Sequence, residues 1–105
     1  MLNLTPHPIV LIGPDGRETV IAPSGTVARV TTTEEVVATL DGLPVVARRF
    51  GAVTGLPDDG TPCIVSALVL SAVPVRAGVY APDTGATARR NADGQVTGVT
   101  RLVQA

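Results

Sequence analysis

Asp-Gly occurs three times in this chain, at positions 15–16, 41–42 and 93–94, and each copy lies between runs rich in β-branched residues. That pairing constrains the fold more than any other feature. Asp followed by Gly accepts the positive φ values of a tight turn whose twist matches that of two antiparallel strands. Val, Ile and Thr on either side suit a pleated, half-buried surface better than a helix.

Three hairpins follow. Ile9 to Ile12, the turn Gly13-Pro14-Asp15-Gly16, and Arg17 to Ala22 form the first. Val36 to Leu40, Asp41-Gly42, and Leu43 to Phe50 form the second. Ala86 to Arg90, Asn91-Ala92-Asp93-Gly94, and Gln95 to Val103 form the third. Its last strand alternates, with Val96, Gly98, Thr100 and Leu102 on one face and Thr97, Val99, Arg101 and Val103 on the other. Thr32 with Glu35 also fits a capping box opening a short helix through Leu40. The three β-branched threonines and the Asp-Gly turn favour the strand.

Cys63-Ile64-Val65 reads as a buried strand. Ser66 then suits an N-cap, Ala67 to Val73 a short helix, and Pro74 its stop, since proline cannot donate to the helical ladder. Val75 to Gly85 reads as an ordered loop. The expected fold is mainly β, with about seven short strands in hairpins forming a small barrel or bent sheet, and one short α-helix near residues 67–73. At 105 residues the chain makes one domain, 1–105. Its two aromatics, Phe50 and Tyr80, leave the core to Val, Leu, Ile and Ala.

The net charge of −1 provides no field to attract nucleic acid or an anionic membrane. The basic pairs Arg48-Arg49 and Arg89-Arg90 lack an aromatic platform for bases. All eight basic residues are Arg, the composition a GC-rich genome produces, and Arg is also a planar fork for phosphate. Cys63 is the only cysteine, which fits a reducing cytoplasm. The start Met1 to Pro6 has no signal-peptide pattern, and the apolar run Ala67 to Val75 is too short to span a bilayer. The expectation is a cytoplasmic protein with no membrane or nucleic-acid partner.

No familiar catalytic or metal set is present. His7, between Pro6 and Pro8, is the single histidine; its simplest role is a rigid entry into the first hairpin. Cys63 lies in an apolar run and reads as a small buried hydrophobe. Asp15, Asp41, Asp58, Asp59 and Asp93 sit where turns want them. No cofactor or metal is expected.

Two groups of donors are candidate ligand contacts. In Pro23 to Arg29, Ser24, Gly25 and Thr26 can turn backbone N–H groups and hydroxyls into one concavity, with Arg29 as a charged fork. No Gly-Lys-Ser/Thr follows, so this is not a Walker loop, and an ordinary turn explains it equally well. Around the helix, Ser66, Arg76 and Tyr80 offer a hydroxyl at a helix start, a guanidinium and a stacking ring. Capping and packing explain each of these singly.

Three stretches together, Leu4-Thr5-Pro6-His7-Pro8-Ile9, Pro23 to Val30, and Ile64-Val65-Ser66-Ala67-Leu68-Val69, resemble a family of small proteins of bacteriophages, prophages and actinobacterial genomes. Gly55-Leu56-Pro57, Arg76 and Ala81-Pro82 extend the pattern over most of the chain. The resemblance carries no enzymatic activity. It implies a non-enzymatic binding protein, of the type that sequesters a nucleotide-derived immune signal such as a cyclic nucleotide or an ADP-ribose derivative. Ser24, Gly25, Thr26, Arg29, Ser66, Arg76 and Tyr80 would then hold a phosphate-bearing small molecule. The alternative class is a structural or protein-interaction module, a virion component or host-protein binder, with homo-oligomerisation expected through unpaired strand edges. A hydrolase of a small nucleotide using His7 ranks third.

Overall fold

The computed structural model describes residues 1–73 and 76–104. Its elements are β1 (Leu2–Asn3), β2 (Ile9–Ile12), β3 (Glu18–Ile21), β4 (Arg29–Leu40), β5 (Leu43–Thr54), β6 (Cys63–Ile64), α1 (Ala67–Ala72), β7 (Val79–Pro82), β8 (Arg89–Arg90), β9 (Val96–Gly98) and β10 (Leu102–Gln104). The fold is mainly β with one short helix, as the turn chemistry predicts. Ten strands replace the expected seven or so, and they form small separate sheets rather than a closed barrel.

The centre is a four-stranded sheet in the order β1-β6-β7-β10. β1 runs parallel to β6 and β6 parallel to β7, while β10 returns antiparallel. Parallel neighbours need a long crossover, and here it contains α1. Ser66 caps that helix: its Oγ accepts from the Val69 N–H at 3.3 Å. Val73 ends it, its N–H reaching back to Val69 and Leu70. The expected stop at Pro74 lies outside the described residues.

Leu4, Ala28, Cys63, Val65, Val69, Val73 and Val79 fill the core. No aromatic ring takes part, so the core is small and aliphatic, as the composition dictates. Asn3 is its polar organiser, buried at 1% exposure. Its Nδ2 donates to the carbonyls of His7 (2.8 Å) and Ile21 (2.9 Å), and its Oδ1 accepts from the Thr5 N–H (3.0 Å) and hydroxyl (2.6 Å). One side chain thus ties β1 to the His7 turn and to the end of β3.

Two expectations need correction. The segment 75–85, read as a loop, contains β7. Val79 and Ala81 are buried while Tyr80 and Pro82 are half-buried, and pairing with β6 makes this a central strand despite its Gly and Pro neighbours. The strand expected from Gln95 to Val103 is broken in two. β9 pairs β8, the chain then turns at Thr100, whose hydroxyl donates to the Thr87 carbonyl at 3.0 Å, and β10 joins the central sheet. Arg101 and Asp83 hold that turn at 2.5 Å. The Gly85 N–H, and then Arg101, keep the Asp83 carboxyl below its usual range.

The second hairpin is the largest departure. The sequence marks strands of five and eight residues about Asp41-Gly42; the structure makes them twelve each. The turn itself is as expected, with φ of 50° at Asp41 and 80° at Gly42. Val30 and Val53 at its root pack against the core. From there the ribbon runs outward, paired with no other strand. The molecule measures 52 × 40 × 23 Å with a radius of gyration of 16.4 Å, against about 13 Å for a compact chain of this length.

Candidate functional site

The β4–β5 arm is the dominant surface feature. Its register pairs Thr32 with Phe50, Glu34 with Arg48 and Val36 with Val46, so these six share one face. Beyond an irregularity at Val36/Ala38 the pairing continues as Ala38–Val45 and Leu40–Leu43, on the opposite face together with Thr33–Arg49 and Glu35–Ala47. Both faces of the tip are therefore apolar. Val36 (62% exposed), Leu40 (66%) and Leu43 (68%) stand well out in solvent, and Val37, Val45, Val46 and Phe50 are exposed beside them. An isolated two-stranded ribbon is marginal in water. A ribbon with apolar residues on both faces and no cover is a surface built to be covered.

Charge on the arm is balanced. Arg48 Nε donates to Glu34 Oε1 at 3.0 Å, and Arg49 lies 3.7 Å from Glu35. Both pairs are solvent-exposed and contribute about 0–1 kcal/mol each. At the root, Val53, Leu56, Ala72 and Val73 line an apolar groove of about 580 Å³, and Arg76 borders it.

A separate cleft of about 500 Å³ lies between the His7 turn, the start of α1 and β9. Ile9, Val65 and Val99 supply apolar wall, and Thr5, His7, Ser66 and Thr97 supply polar atoms. No carboxylate and no Arg is among its lining residues. Among the described residues no cluster of His, Cys, Asp or Glu is arranged to hold a metal ion. No helix among them is long and apolar enough to cross a membrane.

Comparison of the chain with protein-family models, with curated proteins and with solved structures finds no match. The functional reading therefore rests on this chain's own surfaces.

The donors singled out in the sequence fall in different places. Ser24 and Thr26 bond to one another, the Ser24 Oγ donating to the Thr26 carbonyl (3.2 Å) and accepting from its N–H (3.4 Å). The Ser24 and Ala28 N–H groups bond the carbonyls of Asn3 and Leu4. Gly25 sits in that turn, and Arg29 is exposed at the start of β4. Ser66 lines the cleft; Arg76 lies at the arm's groove and donates to the Pro57 carbonyl; Tyr80 is half-buried in β7 between Ile64 and Gln104. The two donor groups do not line one pocket. His7 and Ser66, from two of the stretches that carry the resemblance, do meet at the cleft.

The arm surface was missed as a site although its signal is present. Val36-Val37 before the turn and Val45-Val46 after it are consecutive apolar pairs, not alternating ones. A strand without alternation is one covered on both faces.

Cys63 is fully buried, and burial pushes its thiol above the usual 9.0, against the opposing charge of Arg76. With so little thiolate and no access, it is inert. Alkylation of the native protein at neutral pH is expected to run at least about 100-fold slower than in denaturant, following the small open population of a core strand. Mass spectrometry of timed samples reads this, and equal rates would contradict the packing described.

Proposed function

We propose that this chain is a non-catalytic protein-interaction module whose working surface is the β4–β5 arm. The observation that carries this reading is the arm itself: twelve-residue strands anchored in the core by Val30 and Val53, apolar on both faces at the tip, and paired with no other strand of the chain. Exposed edges and an apolar, charge-balanced ribbon support contact with another protein rather than turnover.

The test is small-angle scattering from dilute protein. An arm that projects gives a radius of gyration near 16.4 Å or larger. A value near 13 Å, that of a compact chain, would mean the apolar tip folds back on its own body and would overturn the reading.

A second reading is favoured by the cleft beside His7 and Ser66. Capture of a small molecule, including the nucleotide-derived signal that the family resemblance implies, needs a concave apolar wall with a few polar contacts, and this cleft has that composition. A cyclic nucleotide or ADP-ribose retained in native mass spectra and released unchanged would support it. Spectra showing an empty protein across such a panel would count against it, and release of a cleaved product would indicate hydrolysis.

A further inference from the structure

We infer that the partner of the arm is a second copy of the same chain, its arm laid antiparallel on the face that carries Thr32, Glu34, Val36, Val46, Arg48 and Phe50. The inference rests on the arm reading above and names its partner.

The pattern of that face is the argument. Along β5, Phe50 and Val46 stand two residues to either side of Arg48, and Glu34 is opposite Arg48. The face thus reads apolar, charged pair, apolar. A twofold axis through the Glu34–Arg48 rung sets the Phe50 rung of one copy against the Val36–Val46 rung of the other. The same axis sets each Glu34 beside the other copy's Arg48. Within one arm only Arg48 Nε is engaged, by Glu34 Oε1. The remaining guanidinium donors and Glu34 Oε2 are placed to complete a closed four-membered charge network. A partner of a single charge sign would leave half of these groups opposed by like charge, whereas a second copy satisfies them all. Isologous pairing of one patch with itself is what a twofold dimer requires.

The spacing extends to the ends of the arm. Leu43 and Val53 each lie five residues from Arg48, about 17 Å at about 3.3 Å per residue. The same axis therefore brings the tip turn of one arm over Val53 of the other, beside the groove of about 580 Å³ lined by Leu56, Ala72 and Val73. Tip and groove are both apolar, and each lacks a cover within its own chain. The size also fits: residues 29–54 are as many as the about 20–30 per side that a stable interface enlists. The opposite face, with its charged rungs near the root and its apolar rungs at the tip, has no such self-matching pattern.

Sedimentation equilibrium of the full chain and three variants tests this. The wild type is expected to sediment as a dimer of the 10.7 kDa chain at micromolar concentration. Glu34→Arg places four positive charges at the axis and Arg48→Glu four negative ones. Each is expected to weaken the dimer at least about 100-fold, because like charges are forced together at its centre. An equimolar mixture of the two variants is expected to associate again as a heterodimer, although neither chain has its internal pair restored. Both substitutions are exposed, so the monomer fold is retained. Phe50→Asp is expected to abolish association without rescue by either partner.

Singles that dimerise like wild type, or a mixture that stays monomeric, would overturn the twofold arrangement. A monomeric wild type whose radius of gyration stays near 16.4 Å would overturn the second copy while leaving the arm as a surface for a different protein. A monomer that is also compact would overturn both.

Discussion

Asn3→Ala is expected to destabilise the domain by about 3–5 kcal/mol, enough to leave a small aliphatic core largely unfolded at physiological temperature. Four bonds end on the Asn3 side chain, and it is 1% exposed. Alanine would leave the His7 and Ile21 carbonyls and the Thr5 N–H and hydroxyl without that partner, and removing a shared node costs more than one bond. Asn3→Asp separates the donor role from the acceptor role. The carboxylate still accepts from Thr5 but turns a negative oxygen towards two carbonyls. Its folded pKa is thereby raised above the unfolded value, so the stability it contributes is present at low pH and lost as pH rises through the folded value. The variant should melt higher near pH 4 than near pH 7, judged against wild type at each pH and about one unit either side of the ordinary carboxyl value. Thermal melts monitored by circular dichroism read both, and an Asn3→Ala protein melting within a few degrees of wild type would contradict the role assigned to this residue.

Gly55→Ala carries the second large effect. Gly55 ends the arm at a φ of 91°, and a Cβ there would stand 3.0 Å from the Val27 carbonyl oxygen and 3.2 Å from the Ala28 Cα. Both obstacles are backbone, so neither can rotate away. Left-handed strain and overpacking together are expected to cost about 2–4 kcal/mol. That lowers the melting temperature by about 10–20 °C in a domain of this size. Ala28 belongs to the core and Val53 is packed against it, so the same change disturbs the angle at which the arm leaves the body. Gly16→Ala is the control: its φ of 81° is equally left-handed, but open space surrounds it. A Gly55 variant no less stable than the Gly16 variant would show that the close approach contributes nothing.

Local chemistry was legible in the sequence and long-range pairing was not. Asp41-Gly42 adopts the positive φ pair that its turn demands, and Ser66 caps α1 as its side chain allows. The two-residue strands β1 and β8 have no local signature, because partners far along the chain define them. Val79 to Pro82 looked like a loop from its Gly and Pro neighbours, yet β6 recruits it as a parallel strand. Asn3 gave no hint of burial, since an isolated Asn is usually a turn residue and only the carbonyls of His7 and Ile21 make it a core one. Ser66 and His7 were visible singly, and only the fold brings them to one cleft. The arm's doubled valines were also in plain sight. Their meaning depends on the absence of a covering layer, which a one-dimensional pattern does not display.

Hydrogen exchange resolved along the chain, at concentrations above and below association, tests the central claim most directly. If a second copy covers the arm, the amides of residues 32–48 gain protection at high concentration and lose it in Phe50→Asp, while those of Cys63 to Val65 in the central sheet stay protected throughout. An arm that exchanges equally in both proteins at every concentration would contradict the account.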